Sequence, residues 1–508
     1  MSVRKIKRLD QLAAAVQALR QDGKSVALCH GVFDLLHIGH LRHFNEARQL
    51  ADVLVVTLTG DSFVNKGPGR PVFSESMRAE MIAALDNVDL VAVIPDPSAL
   101  PAISAVKPTV YVKGGEYEDD SKDVTGKIIL EREAVEAHGG RIHFTRGIIF
   151  SSSSLLNQFF GALDPELKEF LDLNRGDLSE RRLFGLIEQC ANLKVLLVGD
   201  AIIDEYTYVG PLGKPSKEHI ISTLYKNTEV FAGGVFAAAN HLATFCKDVE
   251  IVCTLGEGDQ YEQYIRESLK ANVRLTPIYL PGRPTTRKRR FVDPGYLRKL
   301  FEVYYMDDTP LEPDTRRNVN NLIQQRASNA DLVIAADFGH GLINGHAIDV
   351  MTSCSRFLAV NAQTNSGNQG FNLVTRYPKA DFICVDAPEI RLALGEQWRP
   401  IPVILKDVFP TKIDCTKVVV THGARGCFSL DPDGKVHQIP AFTKTVVDTV
   451  GAGDAFFVVA SALIASGASV LEAAFIGNAA GAIKVGIPGH RRSVEKVAVK
   501  KYITTLLK

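Results

Sequence analysis

The chain has no C-x-x-C pair, no apolar run near the roughly 20 residues of a membrane span, and no excess of either charge. Its 58 Lys and Arg balance 58 Asp and Glu, which removes the bulk electrostatic case for nucleic acid or anionic membrane as partner. The eight cysteines are scattered, so neither a zinc ribbon nor a disulfide framework is supported, and a reduced, cytoplasmic setting fits. The basic N-terminus, Met1 to Asp10, lacks the apolar core of a signal peptide. There is no G-x-x-x-x-G-K-[ST] loop, so any ATP is held otherwise than by a P-loop. No internal repeat and no low-complexity segment is visible.

What is present is alternation. Ser25–Cys29, Val53–Leu58, Leu90–Ile94, Val110–Val112 and Arg141–Phe144 read as strands, with helices at Leu9–Gln21, Leu41–Ala51, Ser74–Leu85 and Ile128–Ala137 between them. A second series opens at Leu193–Asp200 and continues through Glu250–Leu255, Leu332–Ala336, Phe357–Val360, Phe382–Val385 and Val418–Thr421. A chain of 508 residues exceeds one hydrophobic core. Strands alternating with helices imply α/β domains with parallel sheets covered on both faces. The expected division is 1–160, a helical connector 161–192 broken at Asn174-Arg175-Gly176-Asp177, and 193–508. Ile220–Tyr225 and Lys288–Tyr305 break the βα rhythm and read as added strands forming a lid.

Two segments carry chemistry. After the first strand comes Gly31-Val32-Phe33-Asp34-Leu35-Leu36-His37-Ile38-Gly39-His40. His37 and His40 are three apart at a helix start, so they share a face. The helix N-terminus concentrates N–H groups and positive dipole. Two imidazoles there can donate to the non-bridging oxygens of an α-phosphate; the bland alternative is two surface histidines. Asp34 reads equally as a metal or ribose contact and as a cap or core-satisfying group. Near the C-terminus, Asp448-Thr449-Val450-Gly451-Ala452-Gly453-Asp454 precedes an apolar helix. Small residues there expose N–H groups as an anion hole, and Asp454 is placed to take a hydroxyl proton. The alternative is a glycine turn with an aspartate cap.

The context of the first segment extends to Lys66-Gly67-Pro68-Gly69-Arg70-Pro71, Val112-Lys113-Gly114-Gly115-Glu116-Tyr117 and Arg146 to Ser154. Over about residues 24–160 the chain resembles the nucleotidylyltransferases sharing H-x-G-H, nearest to the adenylyltransferase half of bifunctional heptose kinase/adenylyltransferases. The resemblance implies that His37 and His40 stabilise the transition state and that Gly31 and Phe33 line the nucleotide. It implies that Lys66 and Arg70 neutralise the triphosphate, that Arg146, Ser152 and Ser153 hold phosphates, and that Lys113 faces nucleotide or sugar phosphate. The alternative for either lysine is a solvated surface charge.

Around the second segment lie Ala232-Gly233-Gly234-Val235, Thr421-His422-Gly423-Ala424-Arg425-Gly426, and Asn478 with Gly481 on a small-residue helix. Over about residues 193–490 these resemble the ribokinase family, nearest its heptose-phosphate branch. By that resemblance Asp454 is the base, Gly451, Ala452 and Gly453 the anion hole, and Gly233 and Gly234 part of the sugar site. Thr421, Gly423 and Gly426 face the ATP phosphates, and Asn478 flanks the purine. Asp200, Asp204, Lys288 and Arg290 belong to the substrate site. Lys288 and Arg290 alternate along a strand and so share a face; the other reading of Arg287–Arg290 is a solvated basic patch. Two departures stand out. Asp386-Ala387-Pro388-Glu389 replaces the family's N-x-x-E, leaving Asp386 and Glu389 as the metal candidates. Val360-Asn361-Ala362-Gln363-Thr364-Asn365 replaces an Asp-Pro-Lys.

The expectation is a bifunctional enzyme using ATP, Mg²⁺ and a second nucleoside triphosphate, ATP or CTP. It would phosphorylate a sugar or sugar phosphate and couple a sugar 1-phosphate to a nucleotide for a surface polysaccharide, with a heptose as the implied sugar. A polyol-phosphate cytidylyltransferase fused to a non-heptose kinase, and a sensing scaffold without turnover, are the rivals. Neither membrane nor nucleic acid is an expected partner; a homodimer through the lid strands is.

Overall fold

A computed structural model describes residues 2–64, 70–118, 127–145, 163–213, 220–368 and 370–508. It divides into two compact units, Met1–Pro165 with Lys500–Lys508, and Glu166–Val499. The expected connector helices are Pro165–Leu173 and Glu180–Gln189.

The first unit is built on a six-stranded parallel sheet. Its order is Ile6–Lys7, Leu90–Ile94, Val53–Thr59, Val26–Gly31, Val110–Gly114, Arg141–Thr145. Val53–Thr59 is buried along its whole length, as a strand covered on both faces must be. The chain leaves Val26–Gly31 toward one edge and returns to its other side at Val110–Gly114. The strand order therefore reverses between these two, and the crevice outside their carboxyl ends is where such sheets bind ligands. The H-x-G-H segment leaves the end of the first, and Lys113 lies at the end of the second.

The second unit carries a nine-stranded sheet. Its order is Val273–Leu280, Asp248–Gly256, Lys194–Gly199, Leu332–Asp337, Leu358–Ala362, Phe382–Asp386, Val418–Thr421, Cys427–Leu430, Val436–Ile439. Only the last two join antiparallel. A second sheet of four strands, Arg298–Tyr305, Thr286–Asp293, Ala201–Pro211 and Thr223–Gly234, is the lid. The expected Lys288–Tyr305 forms two of these strands, Thr286–Asp293 and Arg298–Tyr305, and the expected Ile220–Tyr225 overlaps a third only at its start, since that strand runs Thr223–Gly234. Ala201–Pro211 was not expected as a strand, because its polar Asp204, Glu205 and Thr207 are all buried and break the apolar run that marks a covered strand. The helix Ala452–Ala465, apolar on every side, packs between helices Val235–Leu242 and Val470–Lys484 and against the large sheet. Its N-terminus carries Asp454. Among the described residues, no helix is long and apolar enough to cross a membrane.

Candidate functional site

In the first unit, His37 caps the helix Ile38–Gln49, its Nδ1 accepting from the Gly39 N–H at 3.1 Å. That bond fixes the tautomer: a neutral ring with an accepting Nδ1 carries its proton on Nε2. The His37 and His40 rings stack at 3.9 Å between centroids, and Phe33 meets His40 edge-on at 5.2 Å. Phe33 holds φ +51°, a left-handed conformation costly for a bulky residue. It folds back over Gly31, where a Cβ would stand 3.0 Å from the ring. The pair of histidines is therefore held by an aromatic brace.

Two of the cations expected around this pair, Arg70 and Lys113, are engaged within the protein. The Arg70 guanidinium, its side chain 1% exposed, pairs with Asp34 at 3.6 Å. The Asp34 carboxylate also accepts the Val72 and Phe73 N–H groups at 2.7 and 3.2 Å. Of the two readings of Asp34, the structure shows the core-satisfying one. Lys113 pairs with Glu131 at 2.9 Å and lies over the Tyr111 and Tyr117 rings. Glu131 also receives the Tyr111 hydroxyl. Lys66, Arg146, Ser152 and Ser153 lie outside the described residues.

Arg78, which sequence reasoning passed over, is fully buried and donates to the carbonyls of Val32, Phe73 and Thr59 and to Asp61. It ties the H-x-G-H approach to the Arg70 segment. An arginine inside an otherwise amphipathic helix, Glu75–Ala83, was its one sequence signal. Two further histidines are structural. His30 lies between Thr57 and Thr59 hydroxyls, and burial, then Lys113, pulls it down to about 3. His43 bonds the Thr145 hydroxyl, and burial holds it near 4.

In the second unit, Gly451 at φ +74° caps the helix Ala452–Ala465. The first amides of a helix have no carbonyl one turn back, so the N–H groups of Gly453 and Asp454 point out of its end. The Asp454 carboxylate accepts from Gln363 Nε2 at 2.8 Å. Burial raises its pKa, opposed by His490 and the Gln363 bond. A carboxylate with a raised pKa beside emergent N–H groups has the makeup of a general base next to an anion hole.

Beneath the lid, Asp204 is gripped by Arg290 and by His490 Nε2, the latter at 3.2 Å. Although burial opposes it, the Arg290 guanidinium and the His490 hydrogen bond hold Asp204 below the usual carboxylate range. A Cβ on Gly233 would fall 2.0 Å from the same carboxylate, so only glycine admits it. Lys288 is buried at 6% exposure, 5.0 Å from the Tyr304 ring. Lys288 and Arg290 share the inner face as expected. Arg287 and Arg289 face Glu205 at 3.5 and 2.8 Å, so the run is an ion-pair network and not a solvated patch. Asp448 accepts from Tyr206, Lys299, Gly489 and Val450.

Several of the residues expected at the ligands also make contacts within the protein. The Asp200 carboxylate accepts the backbone N–H groups of Phe338, His340 and Leu342, fixing that loop. Gly234, at φ +51°, has the Asp200 carbonyl 2.8 Å from where a Cβ would stand. Asn478 donates to the Pro440 carbonyl at 2.7 Å. The Thr421 hydroxyl donates to the Val385 carbonyl at 3.5 Å. Gly423 and Gly426 both hold positive φ in the turn that follows Thr421.

Asp386 and Glu389 form a reciprocal capping box, 2.7 and 2.9 Å, and Glu389 also accepts the Thr364 N–H. Burial, then Asp386, pushes Glu389 up to about 8. Among the described residues no cluster of three or more ligating side chains is arranged for a metal. Both Glu389 oxygens and one Asp386 oxygen accept N–H groups, so the pair suits a hydrated divalent cation held through its water shell better than direct ligation.

Comparison with known proteins follows this division. Residues 28–155 match the cytidylyltransferase-like family model and 192–497 the model for pfkB family carbohydrate kinases. The order expected from sequence, nucleotidyl transfer first and kinase second, stands. The Bifunctional protein HldE of Geotalea uraniireducens is 42% identical over 140 residues, and that of Citrifermentans bemidjiense 40% over 152. These matches cover 27% and 30% of this chain and the same shares of the relatives. The chain thus spans less than a third of the length of these curated relatives. Phosphofructokinase-2 from Escherichia coli shares the fold of the second unit. Its complex with substrates and products (TM-score 0.50, 14% identity) and its complex with fructose-6-phosphate (0.50, 13%) are each covered completely by 62% of this chain. With a family match spanning more than half of its residues, the chain belongs to the pfkB family of carbohydrate kinases.

Proposed function

We propose that the chain is a bifunctional enzyme that phosphorylates a sugar or sugar phosphate with ATP and joins a sugar 1-phosphate to a nucleoside triphosphate. The observation that carries the reading is the convergence of Asp454, Gln363 and His490 on the Gly451–Gly453 helix start, roofed by Asp204 and Arg290. Asp454 takes the proton of the attacking sugar hydroxyl as that oxygen bonds to the γ-phosphorus. The bond to ADP breaks, and the emergent N–H groups meet the charge on the transferring phosphoryl oxygens. Asp386 and Glu389 would hold Mg²⁺ through water, where the ion supplies charge neutralisation for the triphosphate. In the first unit, His37 and His40 donate to the α-phosphate as the sugar phosphate displaces pyrophosphate.

A heptose 7-phosphate, phosphorylated at C1, is the substrate we favour, with a nucleotide-activated heptose for surface polysaccharide as the product. The resemblance to bifunctional heptose enzymes supports it, and the curated relatives, named as bifunctional proteins, fit the two-activity reading. The cytidylyltransferase-like match favours a second reading, in which CTP is used with a polyol phosphate. We place the protein in the cytoplasm, supported by eight free cysteines. We expect a homodimer through the lid, whose strands expose Leu224, Tyr225, Phe301, Val303 and Tyr305. Purified protein screened against sugar phosphates with each of the four nucleoside triphosphates tests the assignment. ATP-only pyrophosphate release supports the heptose reading and CTP-only release the second. Kinase turnover that survives Asp454→Asn, or pyrophosphate release that survives His40→Ala, would sink the respective site. A monomer in sedimentation at micromolar concentration would sink the dimer.

A further inference from the structure

Lys484, the last residue of the helix Val470–Lys484, is fully buried. Its ammonium donates to three backbone carbonyls: Val450 at 2.7 Å, Gly489 at 2.8 Å and Ile487 at 3.3 Å. All three donors of the group are thereby used, and none goes to a carboxylate. These carbonyls come from two loops, the one that leads into the Gly451 helix start and the one at 487–489. Asp448 bridges the same two loops from the other side, accepting from Val450 N–H and Gly489 N–H. A Cβ on Gly451 would stand 3.4 Å from Lys484 Cε, so the positive charge lies against the glycine turn.

Burying an ammonium without a directly bonded carboxylate costs several kcal/mol unless its donors are fully met. Holding two loops together needs no charge; a serine or a buried water with two or three hydrogen bonds would do so at lower cost. Backbone carbonyls that replace a hydration shell are the donor set of monovalent-cation sites, and an ammonium group has the charge for that role. We propose that the Lys484 ammonium is a tethered monovalent cation that sets the shape and the positive potential of the phosphate hole at Gly451–Asp454. The kinase unit then needs no dissolved potassium or ammonium ion. Lys484 acts through the loop carbonyls and is a positioning residue. The proposal rests on the phosphoryl-transfer reading of Gly451–Asp454, but the cage can be tested apart from it.

The test uses the full chain in N-methylglucamine chloride, exchanged at constant ionic strength for lithium, potassium or ammonium chloride. Thermal unfolding is read without substrate, and ATP turnover with the sugar phosphate the screen identifies. Wild-type turnover and melting are expected to be the same in all four salts. Lys484→Ala empties the cage and is expected to lose turnover on the order of a hundredfold, as the loss of one anion-hole donor does. Potassium or ammonium, but not lithium, should restore at least roughly a tenth of that loss in kcat and raise the melting temperature. Lys484→Met, which fills the space without charge, should gain nothing from either ion. The proposal is overturned if potassium stimulates the wild type. It is equally overturned if Lys484→Ala folds and neither readout responds, or if Lys484→Met matches wild-type turnover. Should Lys484→Ala not fold, the wild-type salt series and Lys484→Met still decide. A cation-dependent melting shift in Lys484→Ala alongside a wild type with no ATP turnover would sink the kinase reading and leave the cage standing.

Discussion

Replacing Gly451 or Gly453 by alanine makes the same chemical change two residues apart in one motif, and the structure assigns them opposite consequences. Gly451 holds φ +74°, where an L-residue pays roughly 1–2 kcal/mol. Its new methyl would also meet His490 Cε1 at 2.6 Å. His490 can yield only by loosening its pairing with Asp204 at 3.2 Å, an overpacking cost of roughly 1–3 kcal/mol. Gly451→Ala should therefore destabilise the second unit by about 3 kcal/mol, lowering its melting temperature on the order of 4 °C. At Gly453 a Cβ meets nothing within 4 Å and φ is not positive. In the first turn of a helix alanine is better than glycine by up to about 1 kcal/mol, so Gly453→Ala should melt at or above the wild-type temperature. Its methyl enters the space a phosphoryl group must reach, so kcat/KM for ATP should fall roughly 10- to 100-fold. Calorimetry paired with initial-rate ATP turnover separates the two. Equal melting of Gly451→Ala and wild type, or loss of stability without loss of turnover in Gly453→Ala, would refute the reasoning.

Other predictions follow from the same geometry. Removing the Gln363 donor in Gln363→Leu takes away a bond that lowers the Asp454 pKa, so the acid limb of kcat should move to higher pH, read from a pH–rate profile of ATP turnover. His30 and His43 are held near 3 and 4 in the folded chain. The unfolded chain protonates them first, so stability is full above about pH 6.5 and lost as pH falls toward 4. At pH 5 each costs roughly 1–2 kcal/mol, and thermal melts of His30→Gln and His43→Gln should show a shallower acid decline than wild type. Arg78→Ala strands three carbonyls and Asp61 and should destabilise the first unit by roughly 3–5 kcal/mol, with Arg78→Lys recovering little of it in denaturant titration.

Most of the strand and helix series was legible because it rests on local periodicity, which a chain carries residue by residue. The strand Leu90–Ile94 and the helix Leu9–Gln21 are found at their expected bounds. Short elements were less visible. The helix Leu100–Val106, opened by a proline, and the closing strands Cys427–Leu430 and Val436–Ile439 carry too few residues to show a period. That Asp454 and the two histidines stand at helix starts was legible because glycine spacing and helix starts are themselves local signals.

The sequence by itself determined the order of the two units, the α/β class and the two glycine- and histidine-marked segments proposed to handle phosphate, since each depends on residues adjacent in the chain. Only the tertiary structure decided where the charges go. Arg70 to Asp34, Lys113 to Glu131, Asp200 to the loop at 338–342, Arg290 and His490 to Asp204, and Lys484 to its three carbonyls are pairings that no spacing rule announces. A buried charge takes whichever partner folding brings within hydrogen-bond reach. For Asp200, Asp204 and Lys113 that partner lies between 18 and 286 residues away.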